Sequence, residues 1–236
     1  MEKHLEATAM LNYQVQEIVD LINMRKWNKL NVFDKIGAIY DYVQNNILFG
    51  YNKYDYITAK QVLADGIGQC NTKATLLMAL LRAVGVPCRL HGTRVTRVLQ
   101  CTLMPKIMAK FAPHRIIHTW VEVYYNGEWL SLEGVITDKA YIAGLQKQYP
   151  KYKGKFIGYG VAVKDFSNLQ IDWNGENTTI QQQAVVEDLG VFDNPDEFYS
   201  QYRQEYRGLK KFIYENIGRK KMTKKVAKIR CYGKTI

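Results

Sequence analysis

The run Gly66-Ile67-Gly68-Gln69-Cys70-Asn71-Thr72-Lys73-Ala74-Thr75-Leu76-Leu77-Met78-Ala79-Leu80-Leu81-Arg82-Ala83-Val84-Gly85-Val86-Pro87 decides the fold. Between Ala74 and Val84 only Thr75 and Arg82 are polar, and a helix that is apolar on nearly every side must be surrounded by protein. Gly85 and Pro87 stop it. The spacing predicts a buried helix over residues 70–84 with Cys70 in its first turn. A first turn carries N–H groups without intrahelical acceptors and the positive end of the helix dipole. Both stabilise a thiolate, the nucleophilic form of cysteine. Gly66 and Gly68 permit a tight turn and a close approach of backbone. A lone cysteine opening a buried helix is also an ordinary packing residue, so the chemistry needs partners elsewhere in the chain.

Upstream, Leu5, Met10, Leu11, Val15, Ile18, Val19 and Ile22 recur at mostly helical spacing and predict an amphipathic helix within 5–24. A second helix is expected over 33–47, with Ile36, Ile39, Tyr40 and Val43 on one face. Residues 48–57 are aromatic and irregular; Thr58 then reads as the N-cap of a short helix that Gly66 ends. Downstream, 88–95 reads as a strand, and 96–116 as a helix broken at Pro105 or a lid-like insertion. Residues 117–125 and 128–132 read as strands joined by Asn126-Gly127, the strongest short hairpin signal. A helix over 138–148 and an N-cap at Asn194, with Pro195, Asp196 and Glu197 behind it, complete the pattern. Helices come first and strands later, which implies an α+β fold.

The hairpin permits a register argument. With Asn126-Gly127 as the turn, Tyr125 faces Glu128 and Trp120 faces Glu133, so His118 and Glu133 share a face as diagonal neighbours. Such diagonals lie roughly 7–8 Å apart at the backbone, within reach of two long side chains. Glu122 shares that face but sits four residues along the strand, roughly 13 Å away at about 3.3 Å per residue. Asp138 falls beyond the strand end, and His91 competes as a base. Cys70, His118 and Glu133 are thus the parts of a nucleophilic triad: the imidazole takes the thiol proton and the carboxylate fixes the imidazole tautomer. The Cys70 N–H can serve a developing oxyanion; Gln69, or an aromatic from 49–56, is a candidate second donor.

Three motifs in this order are specific: Gly66-x-Gly68-Gln69-Cys70 with Ala74, Leu77 and Leu80-Leu81-Arg82-Ala83-x-Gly85-Val86-Pro87-Cys88-Arg89; His118-x-Trp120-Val121-Glu122-Val123-Tyr124; and Trp129 with Glu133. Over roughly residues 35–140 the chain resembles the transglutaminase-like core of the papain-like cysteine-enzyme superfamily. The resemblance implies a papain-like α+β fold, with N-terminal helices and the nucleophile helix packed on an antiparallel sheet. It also implies Cys70 as nucleophile and His118 as base, acting on a peptide or protein substrate. The family usually has Asp where this chain has Glu133. Animal cross-linking members carry Trp directly after the cysteine and add calcium sites and β-sandwich domains. Here Asn71 follows Cys70, which directs the expectation to hydrolysis (protease or amidase) over cross-linking, with no metal or cofactor.

Composition bounds the rest. The chain has 236 residues, 47% hydrophobic and 12% aromatic, as expected of a folded protein with a substantial core. It divides into a single catalytic domain over 1–200 and a basic helical or tail extension over 201–236. Of the net charge of +11, +10 falls in 203–236, where twelve Lys or Arg meet only Glu205 and Glu215. Read blandly, that run is a solvated helix face; read functionally, it meets nucleic acid, an anionic membrane surface or an acidic partner. Tyr199, Tyr202, Tyr206, Phe212 and Tyr214 nearby could stack on bases or pack on the body. A silent papain-like module that uses this surface is the alternative to an enzyme. No run of eighteen apolar residues and no secretory leader are present, so a cytoplasmic protein without a transmembrane helix is expected. Cys70, Cys88, Cys101 and Cys231 form no Cys-x-x-Cys pair, and four free thiols are expected.

Overall fold

Every residue from Cys70 to Arg82 is buried, including Lys73 and Arg82. The computed structural model describes residues 1–203 and 208–234; Tyr206 lies outside them. Ahead of the buried helix come α1 (Gln16–Arg25), α2 (Val32–Asn45), β1 (Leu48–Phe49), α3 (Ala59–Asp65) and β2 (Ile67–Gly68). The buried helix itself is α4 (Cys70–Ala83). Then follow β3 (Cys88–Thr96), α5 (Val98–Cys101), α6 (Lys106–Phe111), β4 (Arg115–Tyr125), β5 (Glu128–Ser131) and α7 (Lys139–Gln148). The hairpin β6 (Phe156–Gly158) and β7 (Val161–Val163), β8 (Val185–Phe192), α8 (Pro195–Gln201), α9 (Gly208–Ile213) and α10 (Arg219–Lys234) complete the order.

The main sheet is antiparallel in the order β5-β4-β3-β8. Helix α4 lies against it, and Leu76, Leu77, Leu80 and Leu81 pack with Leu90, Val121 and Val123 in one core. Each buried leucine is worth about 1.5–3 kcal/mol. This is the α+β architecture expected from the sequence. Thr58 caps α3 by accepting from the Gln61 N–H (3.2 Å), and Gly66 ends it in the left-handed region at φ 62°. Asn194 caps α8 in the same way, accepting from the Glu197 N–H at 2.9 Å.

Two expectations need correction. The helix within 5–24 begins only at Gln16. Ahead of it the backbone bonds outward: the Met10 N–H donates to Asp196 (3.1 Å), and the Met10 carbonyl accepts from Ala59 (2.8 Å). Tertiary acceptors thus replace the helical ladder there. The returning strand stops at Ser131, not 132; Leu132 leaves extended geometry at ψ 43°, and a single 3₁₀ turn spans Glu133–Ile136. The ambiguous 96–116 stretch resolves into α5, α6 and the start of β4.

The basic C-terminal stretch folds onto the body as α10. Met222, Val226 and Ile229 enter the same core as α4, while Lys220, Lys221, Lys224 and Lys228 face solvent. Helix α10 crosses α7 so closely that a Cβ at Gly144 or Gly233 would collide with the opposing backbone. A buried ion pair, Arg230 to Asp138 at 2.7 and 2.9 Å, locks the crossing.

Candidate active site

Gln69 is the N-cap of α4, and its N–H donates to the Thr72 hydroxyl at 3.1 Å. Cys70 is therefore the first helical residue, with its own N–H among those lacking an intrahelical acceptor. The thiol is buried, 5% exposed, and lies 3.5 Å from Asn71 Oδ1. That oxygen also accepts from the Thr119 hydroxyl of β4 at 3.1 Å.

His118 and Glu133 are both fully buried and meet directly, Nε2 to Oε1 at 2.9 Å. The register that predicts this pairing is present from Tyr125↔Glu128 to Glu122↔Ser131. Glu133 then reaches His118 from the 3₁₀ turn instead of from the strand. Its second oxygen, Oε2, accepts the N–H groups of Ile180 (2.8 Å) and Gln181 (3.1 Å). With Nε2 against a carboxylate, the imidazole proton sits on Nε2. His118 Nδ1 is buried without a hydrogen-bond partner, and Cys70 lies close enough to act on the His118 ring. Burial alone would lower the His118 pKa; the charge and hydrogen bond of Cys70, reinforced by Glu133, outweigh it and raise the pKa to about 9. A buried imidazole whose pKa is raised beside a sulfur and a carboxylate is a stronger base than a free imidazole.

Gln69 is buried beside Cys70 with both ends of its amide fixed. Its Oε1 accepts the Asn52 N–H (2.9 Å) and its Nε2 donates to Asp55 Oδ1 (2.8 Å). Only one amide orientation satisfies both partners, and it leaves the second Nε2 hydrogen uncommitted to either. Burial raises the pKa of Asp55 against the pull of hydrogen bonds from Gln69 and Asn71. A cleft opens over Cys70, lined by Tyr51, Tyr54 and Tyr56 together with Lys211, Tyr214 and Glu215. The rival base is occupied elsewhere: His91 bridges Glu122 (Nδ1, 2.8 Å) and Asp188 (Nε2, 2.9 Å) and stacks on Trp120 at 4.3 Å. Burial would lower its pKa, but the bonds to Glu122 and Asp188 raise it. Glu122, the rival carboxylate, is spent on His91 and Arg89.

The pattern of the transglutaminase-like superfamily matches residues 23–134. Over those residues the chain is similar to the transglutaminase-like superfamily. The match ends at the turn that carries Glu133, so its span takes in Cys70, His118 and Glu133. No curated protein sequence matches the chain. Among solved structures, a Cytophaga hutchinsonii protein described as a "putative cysteine protease" is 16% identical with a TM-score of 0.45; the alignment covers 82% of this chain and 47% of that one. The chain therefore spans about half the length of that structure.

No disulfide joins any of the four cysteines. Cys88 is buried against the Met78 carbonyl, and burial pushes its thiol up to about 11. Sequence reasoning did not find Asp55, Asn52 or Thr119, nor the Ile180–Gln181 amides that hold Glu133. The aromatic density of 49–56 was the one available signal, and Tyr51, Tyr54 and Tyr56 do line the cleft.

Proposed function

We propose that the chain is a cysteine enzyme that cleaves a peptide bond or a glutamine side-chain amide through an acyl-enzyme. The reading rests on one observation: His118, fully buried, gives Nε2 to Glu133 and keeps Nδ1 clear of any other hydrogen bond, with Cys70 near enough to act on the ring. Nδ1 takes the thiol proton as Cys70 sulfur attacks the amide carbon. The Cys70 N–H and the free Nε2 hydrogen of Gln69 receive the oxyanion. As the C–N bond breaks, His118 returns the proton to the leaving amine, and the thioester remains on Cys70. Water then attacks, gives a proton to His118, and releases a carboxylate and the thiol. Asn71, where animal cross-linking members carry Trp, supports water over an amine as the acceptor. A peptide lying in the tyrosine-walled cleft is the substrate class that fits.

Iodoacetamide labelling of Cys70 between pH 5 and 9, mapped by mass spectrometry, tests the reading. Fast labelling near pH 6 that His118→Ala slows is the expected result. Labelling with the profile of an ordinary thiol, titrating near 8.5, would leave a silent binding module as the better description.

A further inference from the structure

Four of the most exposed large apolar side chains stand in pairs on two short helices. On α6, Ile107 and Phe111 are 71% and 66% exposed and stand one helical turn apart, on one face. On α9, Leu209 and Phe212 are 74% and 60% exposed, again three residues apart. Single exposed leucines need no explanation. Here four large apolar groups occupy two short helices whose neighbouring exposed residues are lysines: Lys106 and Lys110 on α6, Lys210 and Lys211 on α9. The two segments are packed together. A Cβ at Gly218, in the π-type turn that joins α9 to α10, would collide with Met108 of α6. Lys225 of α10 reaches the Thr102 carbonyl between α5 and α6 at 2.5 Å. Segment α9 and the turn after it also border the Cys70 cleft through Lys211 and Tyr214, and Gln100 of α5, ahead of α6, lines it too.

Their charge is one-sided. No Asp or Glu occurs from residue 66 to 121, and none from 216 to 236. The acid between these stretches in the contact region, Glu215, is 12% exposed and held by Lys53 and Lys211. Lys220, Lys221 and Lys224 extend the basic surface along α10. A second copy of this chain would bring lysine against lysine. Nucleic acid would satisfy the charge, but aliphatic Ile107 and Leu209 have no ring to stack on bases. An anionic bilayer satisfies both features, because apolar side chains enter the acyl boundary while lysines meet acidic headgroups. We infer that α6 and α9, with the first turns of α10, form a peripheral docking surface for anionic membranes, at the rim of the Cys70 cleft.

Flotation of the full chain with vesicles tests this. Phosphatidylcholine vesicles with 30% phosphatidylserine should bind it at least ten-fold better than phosphatidylcholine alone, and 0.5 M NaCl should abolish the difference. Ile107→Ser/Phe111→Ser and Leu209→Ser/Phe212→Ser should each reduce binding at least ten-fold at low salt. Lys106→Gln/Lys110→Gln/Lys220→Gln/Lys221→Gln should do the same by loss of charge. Because these side chains are exposed, melting temperatures and Cys70 alkylation should stay unchanged, which separates this result from the fate of the catalytic reading. Equal binding to both vesicle types would overturn the proposal. So would binding that the apolar pairs do not affect, or capture of duplex DNA with no capture of vesicles.

Discussion

Glu133→Gln isolates the tautomer argument from the packing. The side chain is isosteric, and its surroundings dictate how the amide must sit. Oε2 receives two backbone N–H groups, from Ile180 and Gln181, so the glutamine oxygen has to stay there; an NH₂ group would face two donors. The NH₂ group is then forced onto His118 Nε2, 2.9 Å away, and donates to it. His118 must accept at Nε2 and carry its proton on Nδ1, the nitrogen that is otherwise left without a hydrogen-bond partner. It can no longer take the thiol proton. The corresponding amide substitution in a serine triad lowers turnover about 10⁴-fold with geometry intact, or about 5.5 kcal/mol at 1.36 kcal/mol per decade, and a similar loss is expected here. Because both backbone bonds survive, the melting temperature should shift by only a few degrees. Acylation by p-nitrophenyl acetate, followed as a single-turnover burst and mapped to Cys70, reads the rate. The His118 imidazole titration, read by NMR, should fall from about 9 once the carboxylate charge is gone. In the parent this raised pKa means that His118 stabilises the fold fully below its unfolded value near 6.5. That contribution is lost as pH rises through 9, so the variant should show a flatter stability profile between pH 6.5 and 9. A folded variant that acylates within ten-fold of the parent would refute the tautomer reasoning.

Gln69→Ala should slow p-nitrophenyl acetate acylation by 10²–10³-fold while leaving iodoacetamide alkylation, which forms no oxyanion, nearly untouched. Asp55→Ala should follow it part of the way and Asp55→Asn, which keeps an acceptor for Gln69 Nε2, should recover most of the rate; equal loss in both reactions would remove Gln69 from the oxyanion role. Lys73→Met addresses a fully buried ammonium whose Nζ donates to the Gln44 and Ile136 carbonyls at 3.1 Å and whose pKa burial lowers to about 7. The folded value lies below the unfolded one near 10.4, so parental stability rises by about 1.4 kcal/mol per pH unit from 7 to 10. The variant should lack that component, and a parent-to-variant difference that stays constant over this range, by urea titration, would contradict it. Arg230→Met strips the buried Asp138 carboxylate of its partner and should cost about 3–5 kcal/mol in the same titration; a loss under 1 kcal/mol would mean that α10 is dispensable to the fold.

Much of this site could be read from the chain because its parts obey local rules. The all-round apolarity of α4 gives its burial without reference to any other element. Asn126-Gly127 sets a register that propagates to Glu122↔Ser131, and that register brings His118 and Glu133 together although the last step is made by a 3₁₀ turn. What was not legible is non-local. The Ile180 and Gln181 amides lie 47 and 48 residues from Glu133, in a stretch with no periodicity to announce it. Asp55 sits in an irregular aromatic loop, where no spacing rule distinguishes a carboxylate that grips Gln69 from one in solvent. Residues 5–15 have helical spacing, but their backbone groups find acceptors on Asp196 and partners on α3, a choice that local sequence cannot express.

The same non-local logic explains why the surroundings of Cys70 depend on the far end of the chain. Cys70 opens α4, and one turn later Lys73 ties that helix to the end of α2 and to the turn carrying Glu133. Asp138, one residue past that turn's C-cap, accepts the Phe49 N–H at 3.0 Å, and Arg230 donates to the Phe49 carbonyl at 2.8 Å as well as to Asp138. Strand β1 is thereby gripped on both backbone groups of Phe49. Two residues on, the Tyr51 N–H donates to Thr223 of α10 at 3.0 Å, which sets the aromatic wall of the cleft. Helix α10 thus holds in place β1, Tyr51 and, through Asp138, the exit of the Glu133 turn. Its inward face fixes the geometry around Cys70 while its outward face carries the lysines, so one helix couples the position of Cys70 to whatever the basic surface meets.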